Sequence, residues 1–83
     1  MVYDVSEKRV GRVLKLARQY LNWVQNSVLE GQLSPAKFKI LQEKVKKIIN
    51  EKEDSVVFYT FRDKFYTKRI ILGIEKGNDD NII

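Results

Sequence analysis

Residues 55–61 read Ser-Val-Val-Phe-Tyr-Thr-Phe, and this run carries the strongest strand signal in the 83-residue chain. β-Branched and aromatic residues favour the pleated, half-buried surface of a sheet. Because the run is apolar at both odd and even positions, it predicts an interior strand with both faces covered. The preceding residues Glu51–Asp54 are acidic and polar, which is typical of a solvated helix end. The fold is therefore expected to be built around this strand.

Two helices are predicted on the N-terminal side of the strand. Ser6 is a suitable N-cap for the first, which we expect to end at Asn22. The second begins at Ser34-Pro35, an N-cap followed by proline in the first turn, and runs to about Lys52. Each helix has one apolar stripe at helical spacing. The stripes comprise Val10, Val13, Leu14, Ala17 and Leu21 in the first helix, and Phe38, Leu41, Val45, Ile48 and Ile49 in the second.

The other strands are predicted at Met1–Val5, Trp23–Glu30 and Lys68–Ile74, with a turn at Arg62–Lys64. The order is then strand, helix, strand, helix, strand, strand, or a variant in which the segment 23–31 is split into two strands. Either order predicts an α+β protein, with an antiparallel sheet and two helices on one face. We expect a single domain over residues 1–77 and a polar tail over 78–83.

The composition excludes several kinds of site. The chain has no Cys and no His, so it can form neither a disulfide nor a thiolate zinc site and has no imidazole base. Neither Ser-Lys nor Gly-x-Ser-x-Gly spacing appears, which rules out a conventional nucleophilic triad. A net charge of +5 predicts a polyanionic partner. No apolar run approaches the ~20 residues of a membrane span. With no signal-peptide pattern either, a cytoplasmic protein is expected.

Asp4 is the first candidate site residue, at the end of a predicted strand and just before a helix cap. Its alternative role is that of a cap or turn residue. Without His or Cys, a metal here must be bound by oxygen, which selects Mg²⁺, Mn²⁺ or Ca²⁺. One carboxylate makes a poor site, but a twofold axis would bring two copies together.

The basic face of the first helix is the second candidate. It presents five cations between Lys8 and Arg18, which could neutralise phosphates along a nucleic-acid backbone or simply be solvated. Phe58, Tyr59 and Phe61 could stack on bases, but core packing is the favoured interpretation. Trp23 is either a core residue or an interface anchor.

Several of these segments together resemble one family. Tyr3-Asp4-Val5-Ser6, a basic helix, residues 25–31 (Gln-Asn-Ser-Val-Leu-Glu-Gly) and residues 72–75 (Leu-Gly-Ile-Glu) are similar to the CRISPR-associated protein Cas2, a small metal-dependent nuclease that also serves in spacer acquisition. The resemblance spans nearly the whole chain. It implies a ferredoxin-like fold and a homodimer in which the strand at about Leu72–Lys76 crosses to the partner's sheet.

The resemblance also implies roles for individual residues. Asp4 corresponds to the family's metal-binding and catalytic aspartate, which faces its copy across the dimer axis and holds Mg²⁺, with Mn²⁺ as the alternative. Arg9 corresponds to a basic position early in the first helix. Phosphate contacts are expected from this helix, at Lys8, Arg9, Arg12 and Lys15.

The sequence is compatible with three functions. The first is a Mg²⁺-dependent endonuclease that cleaves single-stranded RNA or double-stranded DNA and acts in spacer acquisition with the CRISPR integrase. The second is a non-catalytic adaptor that binds duplex DNA and bridges integrase dimers. The third is a nucleic-acid-binding domain unrelated to CRISPR.

Overall fold

The computed structural model describes residues 1–62 and 65–75. The chain alternates between one sheet and two helices. Its elements are β1 (Val2–Asp4), α1 (Glu7–Ala17), β2 (Asn22–Gln25), β3 (Val28–Glu30), α2 (Pro35–Ile48), β4 (Ser55–Arg62) and β5 (Phe65–Gly73). The predicted turn at Arg62–Lys64 lies partly outside the described residues. The strand predicted to cross to the partner, at about Leu72–Lys76, also lies partly outside them, since the described residues end at 75. The tail 78–83 lies wholly outside them.

The five strands form one antiparallel sheet in the order β2-β3-β1-β4-β5. β1 is the middle strand, although it is only three residues long. The run that dominates the sequence is β4, which pairs with β1 on one side and β5 on the other. Its predicted interior position is confirmed.

Local sequence signals define where the helices begin. The Ser6 hydroxyl accepts a hydrogen bond from the Lys8 N–H (3.4 Å), and the Ser34 hydroxyl accepts one from the Lys37 N–H (3.2 Å). Each cap satisfies a backbone donor that has no partner inside its helix. Both helices end earlier than predicted. α1 ends at Ala17, and the chain then turns through residues 18–20. α2 ends at Ile48, because Ile49 adopts an extended backbone with ψ 159°.

The predicted strand at 23–30 is divided into β2 and β3. Asn26 has φ 43°, a left-handed conformation that Asn tolerates and that suits a tight hairpin turn. The strand register also shifts between Trp23 and Gln25. The variant with a split strand is therefore confirmed.

The core lies between the helices and one face of the sheet. It contains Val13 and Ala17 from α1, Leu41 and Val45 from α2, and Tyr3, Leu29, Val56, Phe58 and Leu72 from the strands. Side chains alternate between the two faces of a sheet, so residues such as Val2 and Asp4 lie on the other face, away from the helices. The predicted α+β class, with two helices on one face of an antiparallel sheet, is confirmed.

The aromatic side chains divide between the core and the surface. Phe58 is buried and packs edge-to-face on Phe38, with ring centroids 5.3 Å apart, as its predicted core position requires. Phe61 is 63% exposed, because β4 extends beyond the short β1, so its predicted core position is wrong. Trp23 is 55% exposed on the edge strand β2 and is not a core residue. In the part of the chain described, neither helix is long and apolar enough to cross a membrane.

Candidate metal and nucleic-acid site

Asp4 ends the middle strand of the sheet and is exposed. Its register partner is Ser55, the first residue of β4. Tyr3, one residue earlier, is buried in the core, and its hydroxyl donates to the Asn26 carbonyl (3.3 Å). Since neighbouring residues of a strand point to opposite faces, the Asp4 carboxylate lies on the face without helices. A rigid strand therefore presents it on an open surface.

A second carboxylate lies close to this strand end, but it is buried. Asp54 directly precedes β4 and has no exposed surface. Its Oδ1 accepts the backbone N–H of Ser6 (3.0 Å), and its Oδ2 accepts the backbone N–H of Asn50 (2.9 Å). The interpretation of Asp54 as part of a solvated helix end is thus wrong. The carboxylate instead joins the end of α2 to the start of α1.

The Arg9 guanidinium completes this arrangement. Its Nε donates to Asp54 Oδ2 (2.6 Å) and its NH2 group to Asp54 Oδ1 (3.0 Å), so the pair is bidentate. NH2 also contacts Glu53 Oε2 (2.7 Å). These hydrogen bonds raise the pKa of Arg9, with Asp54 as the main cause. They hold the pKa of the Asp54 carboxyl well below its ordinary value, because the contact with Arg9 outweighs the cost of burial.

In this structure the Arg9 side chain is only 18% exposed and contacts carboxylates. Its predicted contact with phosphate stays a prediction. We call Asp54 and its three donor residues Ser6, Arg9 and Asn50 the Asp54 cluster. Every oxygen of the buried carboxylate has hydrogen-bond donors, as a buried charge requires. Sequence reasoning missed the cluster because Arg9 and Asp54 are 45 residues apart.

The backbone of Asp54 also holds the end of β5. Its carbonyl accepts the Ile74 N–H (2.9 Å). Gly73 has φ 85°, and a Cβ at this position would lie 2.1 Å from the Asp54 carbonyl oxygen. Only glycine tolerates both this backbone conformation and this close approach. The motif Leu72-Gly73-Ile74-Glu75, singled out in the sequence, therefore has a structural role beside the Asp54 cluster.

The remaining predicted phosphate contacts are on α1. Lys8, Arg12 and Lys15 are all exposed. They lie on the solvent side of a helix whose other side buries Val13 and Ala17. Their exposure is compatible with backbone contacts to a nucleic acid, which the structure leaves as a prediction.

The metal donors available in one chain are limited. Within residues 1–62 and 65–75, no three acidic side chains come together as a metal-binding group. Asp4 supplies hard carboxylate oxygen, the ligand type that Mg²⁺ and Mn²⁺ favour, and the sequence contains no imidazole or thiolate to favour a softer ion. The donor chemistry of Asp4 therefore fits Mg²⁺.

The family model and the relatives that match this chain belong to the same family. The model of the family described as "CRISPR associated protein Cas2" matches residues 1–69. A protein of Dictyoglomus turgidum named "CRISPR-associated endoribonuclease Cas2" is 53% identical over 83 residues, covering all of this chain and 95% of the relative. The protein of the same name from Thermotoga maritima is 57% identical over 79 residues, 95% of this chain and 91% of the relative. The fold, the position of Asp4 and these matches together show that the chain belongs to the CRISPR-associated Cas2 family.

Proposed function

We propose that this protein is a cytoplasmic, homodimeric, Mg²⁺-dependent endonuclease that hydrolyses phosphodiester bonds and acts in spacer acquisition with the CRISPR integrase. The observation that carries the proposal is the exposed Asp4 carboxylate at the end of the middle strand. The name "endoribonuclease" given to the relatives favours single-stranded RNA as the substrate. Double-stranded DNA is the second substrate to test.

The sheet face without helices supports the homodimer. The register aligns Val2 with both Val28 and Val57, and Val57 with Ile71, so one apolar row crosses four strands. Paired residues in antiparallel strands point to the same face, and this is the face that carries Asp4. Asp4 is two positions beyond Val2 on the strand, with Tyr3 between them, and the two residues are about 7 Å apart. Two copies packed through this row would bring their Asp4 carboxylates close together, and a chain this short gains stability from such burial.

The chemistry follows from the residues present. Hydrolysis forms a bond between a water oxygen and phosphorus and breaks one bridging P–O bond, and the leaving oxygen takes up a proton from water. A bound Mg²⁺ would polarise the phosphate and lower the pKa of the attacking water. The two Asp4 carboxylates would hold the ion between the two copies. Lys8, Arg12 and Lys15 would hold the flanking phosphates without reading the bases.

A non-catalytic adaptor is the second candidate. It is favoured by the exposed cations of α1, and by the finding that no three acidic side chains within residues 1–62 and 65–75 form a metal-binding group. An adaptor would need the same dimer and the same basic surface. The two functions therefore differ in the role of Asp4.

The first experiment measures Mg²⁺-dependent cleavage of single-stranded RNA and duplex DNA, with EDTA as the blank. Wild type is compared with Asp4→Asn and with Glu43→Gln, which removes an exposed carboxylate from α2. All three are first confirmed as dimers by sedimentation. Cleavage by wild type and Glu43→Gln that is abolished in Asp4→Asn supports the nuclease. Absence of cleavage with equal duplex binding supports the adaptor, and equal cleavage by all three refutes the role of Asp4.

The basic surface has a separate test. Binding of duplex DNA is measured at several salt concentrations in wild type, Arg12→Ala and Lys15→Ala, with Lys39→Ala on α2 as the matched control. Each lost phosphate contact should flatten the slope of log binding constant against log salt by about 0.9. A slope that changes only in Lys39→Ala would place the nucleic acid on α2 instead.

A further inference from the structure

Asp54 holds a full charge in a place where an apolar residue would pack more simply. Burying a carboxylate is costly unless it is paired and hydrogen-bonded, and Asp54 is both, to Arg9 and to the backbone N–H groups of Ser6 and Asn50. An apolar residue in its place would leave these donors without an acceptor, so the cluster stabilises the fold. The cluster also fixes the geometry of three chain segments that meet at the Asp4 end of the sheet.

We propose that Asp54, oriented by Arg9, is a positioning residue for Asp4, setting where the Asp4 carboxylate stands relative to a bound cation and to the second copy of the chain. The proposal rests on the metal-binding role proposed for Asp4. The role of Arg9 is then to orient Asp54, and through it Asp4, which differs from the phosphate contact predicted from the sequence.

The first step concerns the exit of the chain from β1. Only Val5 separates Asp4 from Ser6, whose N–H is bound by Asp54 Oδ1 (3.0 Å). β1 has just three residues and a single register pair with β3, so Asp4 at its end is paired on one side only, with Ser55 of β4. The hydrogen bond from Ser6 therefore adds a second point at which the backbone beside Asp4 is held.

The second step concerns the strand beside Asp4. Ser55 pairs with Asp4 on one side and with Gly73 on the other, and Asp54 is the residue directly before Ser55. The Asp54 carbonyl binds the Ile74 N–H (2.9 Å), while the Asp54 carboxylate binds Ser6. A single residue thus links the ends of β1 and β5 to the start of β4. A shift of Asp54 would move all three together.

The third step concerns Arg9. Its two hydrogen bonds to Asp54, of 2.6 and 3.0 Å, fix both oxygens of the carboxylate in one plane. Lysine keeps the charge but cannot reproduce this bidentate contact. Replacing a group that hydrogen-bonds directly to a metal ligand typically changes metal affinity by about 10–100-fold, and Asp54, which acts on Asp4 through the backbone, should have an effect near the lower end of this range.

The test compares Arg9→Lys and Asp54→Glu, which both keep their charges, with wild type. The matched control is Glu51→Gln, which removes an exposed carboxylate from the same turn. Full-length protein labelled with ¹⁵N is titrated with Mn²⁺ alone, and paramagnetic broadening of the Val5 and Ser55 amide signals reports cation binding beside Asp4. Melting temperature and sedimentation are recorded for every variant, so that a loss of fold or of dimer is recognised.

We expect the Mn²⁺ concentration for half-maximal broadening to rise at least about tenfold in Arg9→Lys and Asp54→Glu, and to stay at the wild-type value in Glu51→Gln. If Asp54→Glu does not fold, the comparison of Arg9→Lys with wild type decides the test. A folded, dimeric Arg9→Lys with wild-type Mn²⁺ binding would overturn the proposal.

A failure of the metal site itself has a different signature. If Mn²⁺ does not broaden Val5 and Ser55 in wild type, the metal-binding role of Asp4 is refuted. Residual dipolar couplings of the Asp4 and Val5 amides then judge the positioning separately. Couplings that change in Arg9→Lys but not in Glu51→Gln support it, and couplings that are the same in all three proteins overturn it.

Discussion

Replacing Gly73 with alanine should destabilise the fold strongly, because two features of the structure oppose a side chain there. The backbone has φ 85°, and the new Cβ would lie 2.1 Å from the Asp54 carbonyl oxygen and 3.0 Å from its carbon. The obstructing atoms belong to the backbone, so no side-chain rotation relieves the contact. The end of β5 has to move away from Asp54, and the hydrogen bond from the Ile74 N–H is lost.

The magnitude follows from these two costs. A left-handed conformation costs a residue with a Cβ about 1–2 kcal/mol. Loss of the backbone hydrogen bond adds about 1 kcal/mol. The sum, about 2–3 kcal/mol, is a large part of the ~4–12 kcal/mol that an 83-residue domain usually has. In a domain of this size it corresponds to a fall in melting temperature of about 10–20 °C.

Urea unfolding measures the change, with Trp23 fluorescence and far-ultraviolet circular dichroism as probes at one fixed protein concentration. The matched control is Gly11→Ala. Gly11 is exposed in α1, and a Cβ there would meet nothing within 4 Å. Because alanine is the better helix former, this variant should be more stable by about 0.5–1 kcal/mol. Equal stability of Gly73→Ala and wild type, or a loss in both variants, would refute the reasoning.

Three further predictions test other parts of the structure. Because Arg9 lowers the pKa of Asp54 in the folded protein, this carboxyl stabilises the fold above its unfolded pKa, and the stabilisation is lost as the pH falls below about 4. The Asp54 carboxyl ¹³C signal should stay constant from pH 7 down to about pH 3; a midpoint near 4 contradicts the pairing. Ser34→Ala should cost about 1 kcal/mol in urea unfolding, since the hydroxyl caps α2; no change would show that the cap is dispensable. Leu41→Ala should cost about 2–5 kcal/mol by the same assay, because Leu41 is fully buried; a cost near that of Ser34→Ala would contradict its place in the core.

Much of the fold could be predicted because its signals are local. The cap at Ser6, the Ser34-Pro35 pair and the apolar run at 55–61 each act over a few residues, and each marks an element that the structure contains. The sequence left open whether the segment 23–31 forms one strand or two, because a left-handed Asn26 leaves the apolar pattern on either side of it unchanged. The ends of both helices were predicted too far along the chain, since apolar spacing continues through turns that also face the core.

The candidate site was predictable only in part. Asp4 could be found because it ends a strand, and the resemblance to the Cas2 family gave it a role. Asp54 could not, because the polar residues 51–54 are typical of a solvated turn and its partner Arg9 is distant in sequence. The same distance explains why Arg9 was considered only as a phosphate contact. Nothing local distinguishes a cation that will bind phosphate from one that will bind a buried carboxylate.

The position of β1 in the middle of the sheet also affects the order in which the protein is made. Among the described elements, β1 leaves the ribosome first, whereas β4, which pairs with all three residues of β1, and β5 are synthesised last. At ~5–20 residues per second, the first strand waits several seconds for these neighbours. During that interval α1, the β2–β3 hairpin and α2 can form from local contacts. A nascent chain that stops before Asp54 therefore carries Asp4 without the contacts that hold it, and the proposed site arises only after β4 has been made.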